Sequence, residues 1–518
     1  MTSNLNYYYN FKNTIRFFIS IDTLFFPDKI DDIENLCWCV PVNFRIKKDD
    51  NSYRIIKLPN ILNFYCAFNI FKTYDNFNLS EQINDHTKLV PNIITGDFMS
   101  GEYDKQVNRE LQLLCIYDNL LKVDIKSFYD SIYTHKLDFL NEPLHERFFT
   151  NYNSGNTNGL IMGNYISLYI AERYLSRIAD DLDEKLKNFT CSFYYFSDDF
   201  YFFCNSIDNT KILDIFDKVL EKYDLERNPN KLKIFSYLEY NDEHILNRYW
   251  ASIISGSKQR FNKHNNNTLY FLNQLVYRLP KLKNYNLQKI FLTTFFKSKY
   301  FSDLNLNNFC FREYNQHQFC YIISICPEIL LYSINKLKDI DFFKSKSFKN
   351  FLKNNYLKSL SRSFNDEQLY YYYAIKVLNF DDILNDSEGT VSSSNNQILI
   401  SYYLKDKIFS ENSINYLKTK VGEYYWFQNY HLILYDEELY SDLEESIIKY
   451  LLPNKINEPS HINSYKHNLV TPSNKATKIK YYIDFYSKNL KSKKSFINDS
   501  SNIKSYIEKY IKNKNLNF

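Results

Sequence analysis

The sequence contains no run of about 18 apolar residues, the length a helix needs to cross a membrane. Its best candidate, residues 319–334, is broken by Pro327 and Glu328, so no membrane span is expected. The N-terminal stretch MTSNLNYYYNFKNTIRFF lacks the basic region, apolar run and small-residue cleavage site of a signal peptide. The 9 cysteines are odd in number and include no Cys-x-x-Cys pair, which argues against a disulfide framework and for reduced thiols in a cytoplasmic chain. Cys37 and Cys39 flank Trp38 without a nearby His or Cys, too few ligands for zinc. No His-Asn-His or four-cysteine nuclease pattern is present either.

What is present begins with size. A chain of 518 residues is too long for one ordinary core, so two or three domains are expected, and a hydrophobic fraction of 44% is enough to pack them. The 48 Tyr and 43 Phe stand beside abundant Asn, Lys and Ile, a mixture that points to an AT-rich genome rather than to base stacking. Net charge is only +4 but uneven: residues 473–518 hold 11 Lys and 3 acids, or +8, which leaves 4 − 8 = −4 for residues 1–472. Such a Lys-rich tail suits phosphate contact, and equally a solvated, partly disordered end.

The chemistry concentrates in two stretches. LKVDIKSFYDSIYTH (121–135) starts as a buried strand and continues as a helical segment predicted over 128–140, with Asp124 where the strand runs out. Alone, Asp124 could be a helix cap. The second stretch, CSFYYFSDDFYFFC (191–204), is two aromatic-rich runs around Ser197-Asp198-Asp199, the pattern of a hairpin with adjacent acids at its tip. Strands that end in like charges repel unless a cation lies between them, and Mg²⁺ is the usual cation. Upstream, PVNFRIKKDDNSYRIIKLPN (41–60) reads as a hairpin with its turn at Asp49-Asp50-Asn51. Lys48 and Arg54 flank that turn, close enough for both to reach one anion.

The order of these pieces resembles the palm of reverse transcriptases. Asp124-Ile125-Lys126-Ser127-Phe128-Tyr129 is similar to that family's first palm motif, and Phe196-Ser197-Asp198-Asp199 to its aromatic-x-Asp-Asp motif. Between them GLIMGNYIS (159–167) resembles the Gly-Leu-Pro-x-Gly segment, with Ile161 in place of the proline and Met162 where glutamine is common. The resemblance implies two Mg²⁺ ions, with Mn²⁺ a possible substitute, held by Asp124, Asp198, Asp199 and the Ile125 carbonyl. It implies dNTP binding by Lys48 and Arg54 of the fingers, by Tyr129 under the sugar and by Gly163. Lys231, in a Leu-Asn-x-x-Lys-like element (225–235), is implied as a general acid near the leaving pyrophosphate.

An apolar stripe of Ile166, Ile170, Leu175, Ile178, Leu182 and Leu186 predicts a helix over 164–187, and KILDIFDKVLEKYDL (211–225) another. From about residue 265 strand-like alternation gives way to amphipathic segments, at 281–301, 328–340, 366–378 and 395–409, each needing a neighbour to cover its apolar face. DSEGTVSSSNN (386–396) reads as a flexible loop among them. No thumb is visible after the palm, where residues 239–261 are of mixed charge and too short for three helices.

The expected architecture is therefore α/β plus all-α: reverse-transcriptase fingers and palm over 1–260, then a HEAT-like α-helical domain over 261–518 with the Lys-rich tail. Fingers and palm joined to a helical half, with YYWFQNYHLILY (424–435) near its end, resemble abortive-infection reverse transcriptases of bacterial anti-phage defence. That resemblance implies a homo-oligomer, trimer or hexamer, that polymerises dNTPs without a template. The single-stranded DNA product would stay attached to a protein hydroxyl, and none of the 48 tyrosines can be singled out as the primer. The alternatives are a templated RNA-directed DNA polymerase of a retroelement or retron, and a non-catalytic nucleic-acid-binding scaffold.

Overall fold

Among the described residues the computed structural model has six strands, arranged in two antiparallel sheets. It describes residues 5–11, 14–27, 33–79, 84–89, 96, 102–244, 272, 275–282, 284–298, 301, 313–467 and 475–515. The smaller sheet is the predicted hairpin, β1 (Val42–Lys47) paired with β2 (Tyr53–Leu58) from Val42↔Leu58 to Lys47↔Tyr53. The amides of Lys48 and Asp49 both donate to the Ser52 carbonyl and close its turn. Helix α1 (Ile61–Phe71) follows, its N-terminus capped by the Asn60 side chain, which accepts from Leu62 N.

After helix α2 (Glu102–Leu113), the larger sheet is built from β3 (Asn119–Asp124), β4 (Cys191–Phe196), β5 (Asp199–Cys204) and β6 (Lys233–Phe235), in the order β4-β5-β3-β6. Its two faces follow from alternation. Leu121 and Val123 of β3 and Phe200 and Phe202 of β5 are fully buried in the main core. Helix α4 (Tyr165–Leu186) and helix α5 (Asn209–Lys222) belong to that core, and Phe216 of α5 lies 5.1 Å from Phe200 and 5.4 Å from Phe202, ring to ring. On the other face Leu120, Tyr194, Tyr201 and Phe203 pack with Val107 and Leu111 of α2 and with Tyr240. The predicted helix over 128–140 is cut to α3 (Phe128–Ser131) and a single 3₁₀ turn, Thr134–Lys136. Tertiary pairing overrides it: Tyr133 bridges to Asn158, and the Thr134 amide donates to the Thr157 carbonyl.

The predicted helices of the C-terminal half form, including α6 (Tyr285–Phe296), α7 (Ile329–Leu337), α8 (Lys346–Arg362), α9 (Asn365–Val377), α10 (Gln397–Lys405) and α11 (Trp426–Tyr435). Two expectations fail there. Residues 386–396 are not an open loop: Glu388–Ser392 is helical, and the Ser387 hydroxyl is buried against the Ile383 and Leu384 carbonyls and the Tyr403 hydroxyl. Nor is the Lys-rich end a loose tail. It folds as α12 (Lys475–Lys491) and α13 (Ser500–Asn515), with Ile479, Tyr482, Phe485 and Tyr486 buried.

The link between those helices, with α10, holds the N-terminal segment. Ile19 bridges to Ile497, the Asn498 side chain donates to the Phe17 and Ile19 carbonyls, and Tyr402 of α10 donates to Phe18 O. The N-terminal segment therefore packs with the helical half. The predicted boundary at 260/261, and residues 245–261 where a thumb would begin, lie outside the described residues. No helix among the described residues is long and apolar enough to cross a membrane.

Candidate functional site

The two motif stretches meet at the open end of the larger sheet. Asp124 closes β3 and Asp199 opens β5, and they are register partners, a relation that holds Cβ atoms about 5 Å apart. Asp198 occupies the two-residue loop between β4 and β5 together with Ser197, which takes a positive φ of 54°. A further backbone bond fixes the junction: the Ile125 amide donates to the Asp198 carbonyl at 3.0 Å. Chain segments 74 residues apart thus present three carboxylates from one edge of the sheet.

Two lysines meet two of these acids. Lys231 Nζ lies 2.7 Å from Asp124 Oδ2, and Asn228 Nδ2 donates to Asp124 Oδ1 at 3.2 Å. Lys122 Nζ lies 2.8 Å from Asp199 Oδ2. No lysine, arginine or histidine among the described residues lies within ion-pair distance of Asp198. Burial, and then the nearby Asp199 and Asp124, push its carboxyl above the usual carboxylate range.

Among the described residues no group of three or more His, Cys, Asp or Glu side chains is gathered closely enough to hold a metal ion. Asp124 and Asp199 are each paired with a lysine, Lys231 and Lys122. The donor chemistry nevertheless fits a hard divalent cation: carboxylate and carbonyl oxygens only, and a local shortage of positive charge at Asp198. Lys231, more than half exposed, and Lys122, about one-third exposed, are free to move aside for such an ion.

Tyr129, five residues past Asp124 in the short helix α3, is half-buried, and burial together with Glu172 and Asp198 raises its hydroxyl pKa while Arg54 opposes them. Arg54 of β2 is thereby near the site. Lys48 sits exposed at the hairpin turn, with no contact to the carboxylates. Gly163, at φ 121°, lies against β2: a Cβ there would be 2.3 Å from Ile56 Cγ2. Beside it the Met162 carbonyl accepts from the Lys57 amide, while Ile161 is buried. The loop that resembles the Gly-Leu-Pro-x-Gly segment is thus packed against β2.

Sequence reasoning did not single out Lys122 or Asn228. Lys122 was accessible, because two residues before Asp124 on a strand is the same face. Behind it a buried polar chain continues: Lys122 and Lys88 both lie over the Tyr201 ring, and Lys88 pairs with Glu110 at 2.7 Å. Glu110 in turn accepts from the Tyr240 hydroxyl.

Residues 46–262 match the family model described as reverse transcriptase (RNA-dependent DNA polymerase), so a reverse transcriptase domain is present. No curated protein matches the chain. Among solved structures, telomerase from Candida albicans in complex with a TWJ fragment of telomeric RNA is similar at 12% identity and a TM-score of 0.26, too low to define a shared overall fold. The match covers 78% of this chain and 66% of that one, a little under two thirds of its length.

Proposed function

We propose that this reverse transcriptase domain is an active dNTP-polymerising nucleotidyltransferase of the abortive-infection type, making DNA without a template from a protein hydroxyl. The observation that carries the reading is the register of Asp124 with Asp199 and the Ile125–Asp198 backbone bond, which bring both acidic motifs to one point. Asp124, Asp198 and Asp199, with the Ile125 carbonyl, would hold Mg²⁺ or Mn²⁺. Bound there, the ions lower the cost of charge on the attacking and leaving oxygens.

The chain's own residues do the rest. Arg54 and Lys48 bind the triphosphate by charge, and Tyr129 forms the wall beneath the sugar that disfavours a 2′-hydroxyl. Lys231, beside Asp124, would give a proton to the departing pyrophosphate. Engagement of Met162 and Gly163 by β2 supports untemplated synthesis, because that backbone is already in contact with protein. Exposed Tyr416, Val421, Tyr424 and Tyr425 on the helical half offer apolar surface for a homo-oligomer.

The test is incorporation of labelled dNTPs by purified protein with Mg²⁺, with and without an annealed RNA or DNA template-primer. Product should form from dNTPs alone, remain with protein after denaturation, and be released by protease. Asp198→Ala/Asp199→Ala should lower incorporation by about a thousandfold or more, since it removes the ion-holding charge. Strict dependence on a template-primer would instead favour the retroelement alternative, and undiminished activity in the double variant would end the catalytic reading.

A further inference from the structure

The fingers hairpin is attached to the helical half by its backbone. β1 is an edge strand, whose outward amides need partners. Two of them find side chains at the start of α9: the Arg45 amide donates to Asn365 Oδ1 at 2.8 Å and the Lys47 amide to Asp366 Oδ1 at 3.2 Å. Asn365 and Asp366 are both buried. Alternate residues of a strand, i and i+2, are thus read by consecutive residues of a helix whose N-terminus points at the strand.

Charge closes the joint. Lys47 Nζ is buried 3.1 Å from Glu367 Oε1 and 2.9 Å from Asp50 Oδ1 of the hairpin turn, over the ring of Tyr285 of α6 at 4.5 Å. Arg362 of α8 reaches the same Asp50 at 3.9 Å. Lys48 and Arg54 are carried on this short hairpin, Arg54 directly opposite Ile46. Displacing β1 from α9 therefore moves the cations placed on the triphosphate.

We propose that Asn365 and Asp366 of the helical half are positioning residues for nucleotide binding, holding the fingers hairpin in its binding geometry rather than leaving it free to hinge. The proposal rests on the polymerase reading for its kinetic readout and on the hairpin contacts alone for its structural one. Neither residue touches substrate. They act through the backbone of β1.

The experiment pairs kinetics with amide hydrogen exchange in the full-length protein. In Asn365→Ala/Asp366→Ala the Arg45 and Lys47 amides should exchange about fivefold faster or more, the effect of a lost hydrogen bond of ordinary strength. The dNTP KM should rise severalfold while kcat stays within about twofold, the signature of lost binding that is uniform between ground and transition states. Asn365→Asp and Asp366→Asn each keep an acceptor oxygen and should return both readings toward wild type. Unchanged exchange at Arg45 and Lys47 would show that α9 does not hold the hairpin. Faster exchange with an unchanged KM, or a KM rise that the acceptor-keeping variants share, would overturn the positioning role. Wild-type protein that incorporates no nucleotide would refute the polymerase reading, and the exchange arm would still decide the attachment.

Discussion

The palm edge and the helical core solve the same problem, lysines facing carboxylates, in opposite ways. At the palm edge Lys231 and Lys122 approach Asp124 and Asp199 from solvent, and both lysines can leave. In the helical half Glu328 is sealed between Lys289 at 2.8 Å and Lys297 at 3.2 Å, with the Tyr332 hydroxyl donating to it at 2.7 Å. Despite burial, the two lysines hold the Glu328 carboxyl far below its usual range. Exposed pairs contribute little to stability and are exchangeable, whereas a sealed pair cannot lose one member without stranding the other. Exchangeable lysines suit the cation binding proposed for that edge. Sealed ones suit a scaffold.

Breaking the sealed pair should give the largest stability effect. Glu328→Gln leaves the half-buried Lys289 and Lys297 facing a neutral amide in place of the buried carboxylate, at a cost of roughly 2–4 kcal/mol. A drop in Tm of roughly 3–5 °C is expected by circular dichroism or calorimetry. A change of under about 2 °C would mean that the cluster is wetter than its burial implies.

Glu367 sharpens the comparison, because there burial outweighs pairing. Its carboxyl is pushed up to about 7 by desolvation, with Asp366 adding to the rise and Lys47 and Arg362 opposing it. A folded value above the unfolded one means that the folded chain binds the proton more tightly. The resulting stability is fully present below the unfolded pKa and is lost as pH rises through about 7. Glu367→Gln, which cannot ionise, removes this dependence. The wild type should thus lose Tm relative to the variant between pH 5 and pH 8, by an amount equivalent to roughly 1–3 kcal/mol. A constant difference across that window would show that the Lys47 pair cancels the burial cost.

Which of these features the sequence discloses depends on how local their cause is. Asp124 and the Asp198-Asp199 tip are legible because strand ends and a two-residue hairpin are set by a few adjacent residues. The helices of the C-terminal half are legible as long apolar segments, although α9, α10 and α11 prove to be buried on every face rather than along the single stripe expected. By contrast, Lys47 and Lys48 are neighbours of identical type, and only Glu367 and Asp366, some 320 residues away, decide that Lys47 is the buried one. Residues 386–396 have a loop's composition, yet the Ser387 hydroxyl finds carbonyls and Tyr403 inside the core. The shortening of α3 is likewise set by the Tyr133–Asn158 bridge, which no local pattern announces.

The smallest expected effect tests whether the palm lysines stand in for a metal. Lys122 neutralises Asp199 and lies on the same face of β3 as Asp124, so its charge competes with any cation that the carboxylates hold. Lys122→Met keeps the side-chain length and removes the charge. At partial exposure one unit charge changes cation affinity modestly, about two- to fivefold in the half-saturating Mg²⁺ for dNTP incorporation, toward tighter binding. Direct Mn²⁺ binding followed by electron paramagnetic resonance should tighten in parallel. Lys231→Met should tighten the metal in the same direction but also lower kcat, because Lys231 is the proposed proton donor and Lys122 is not. Weaker Mn²⁺ binding in Lys122→Met would mean that the lysine orders Asp199 for the ion instead of competing with it.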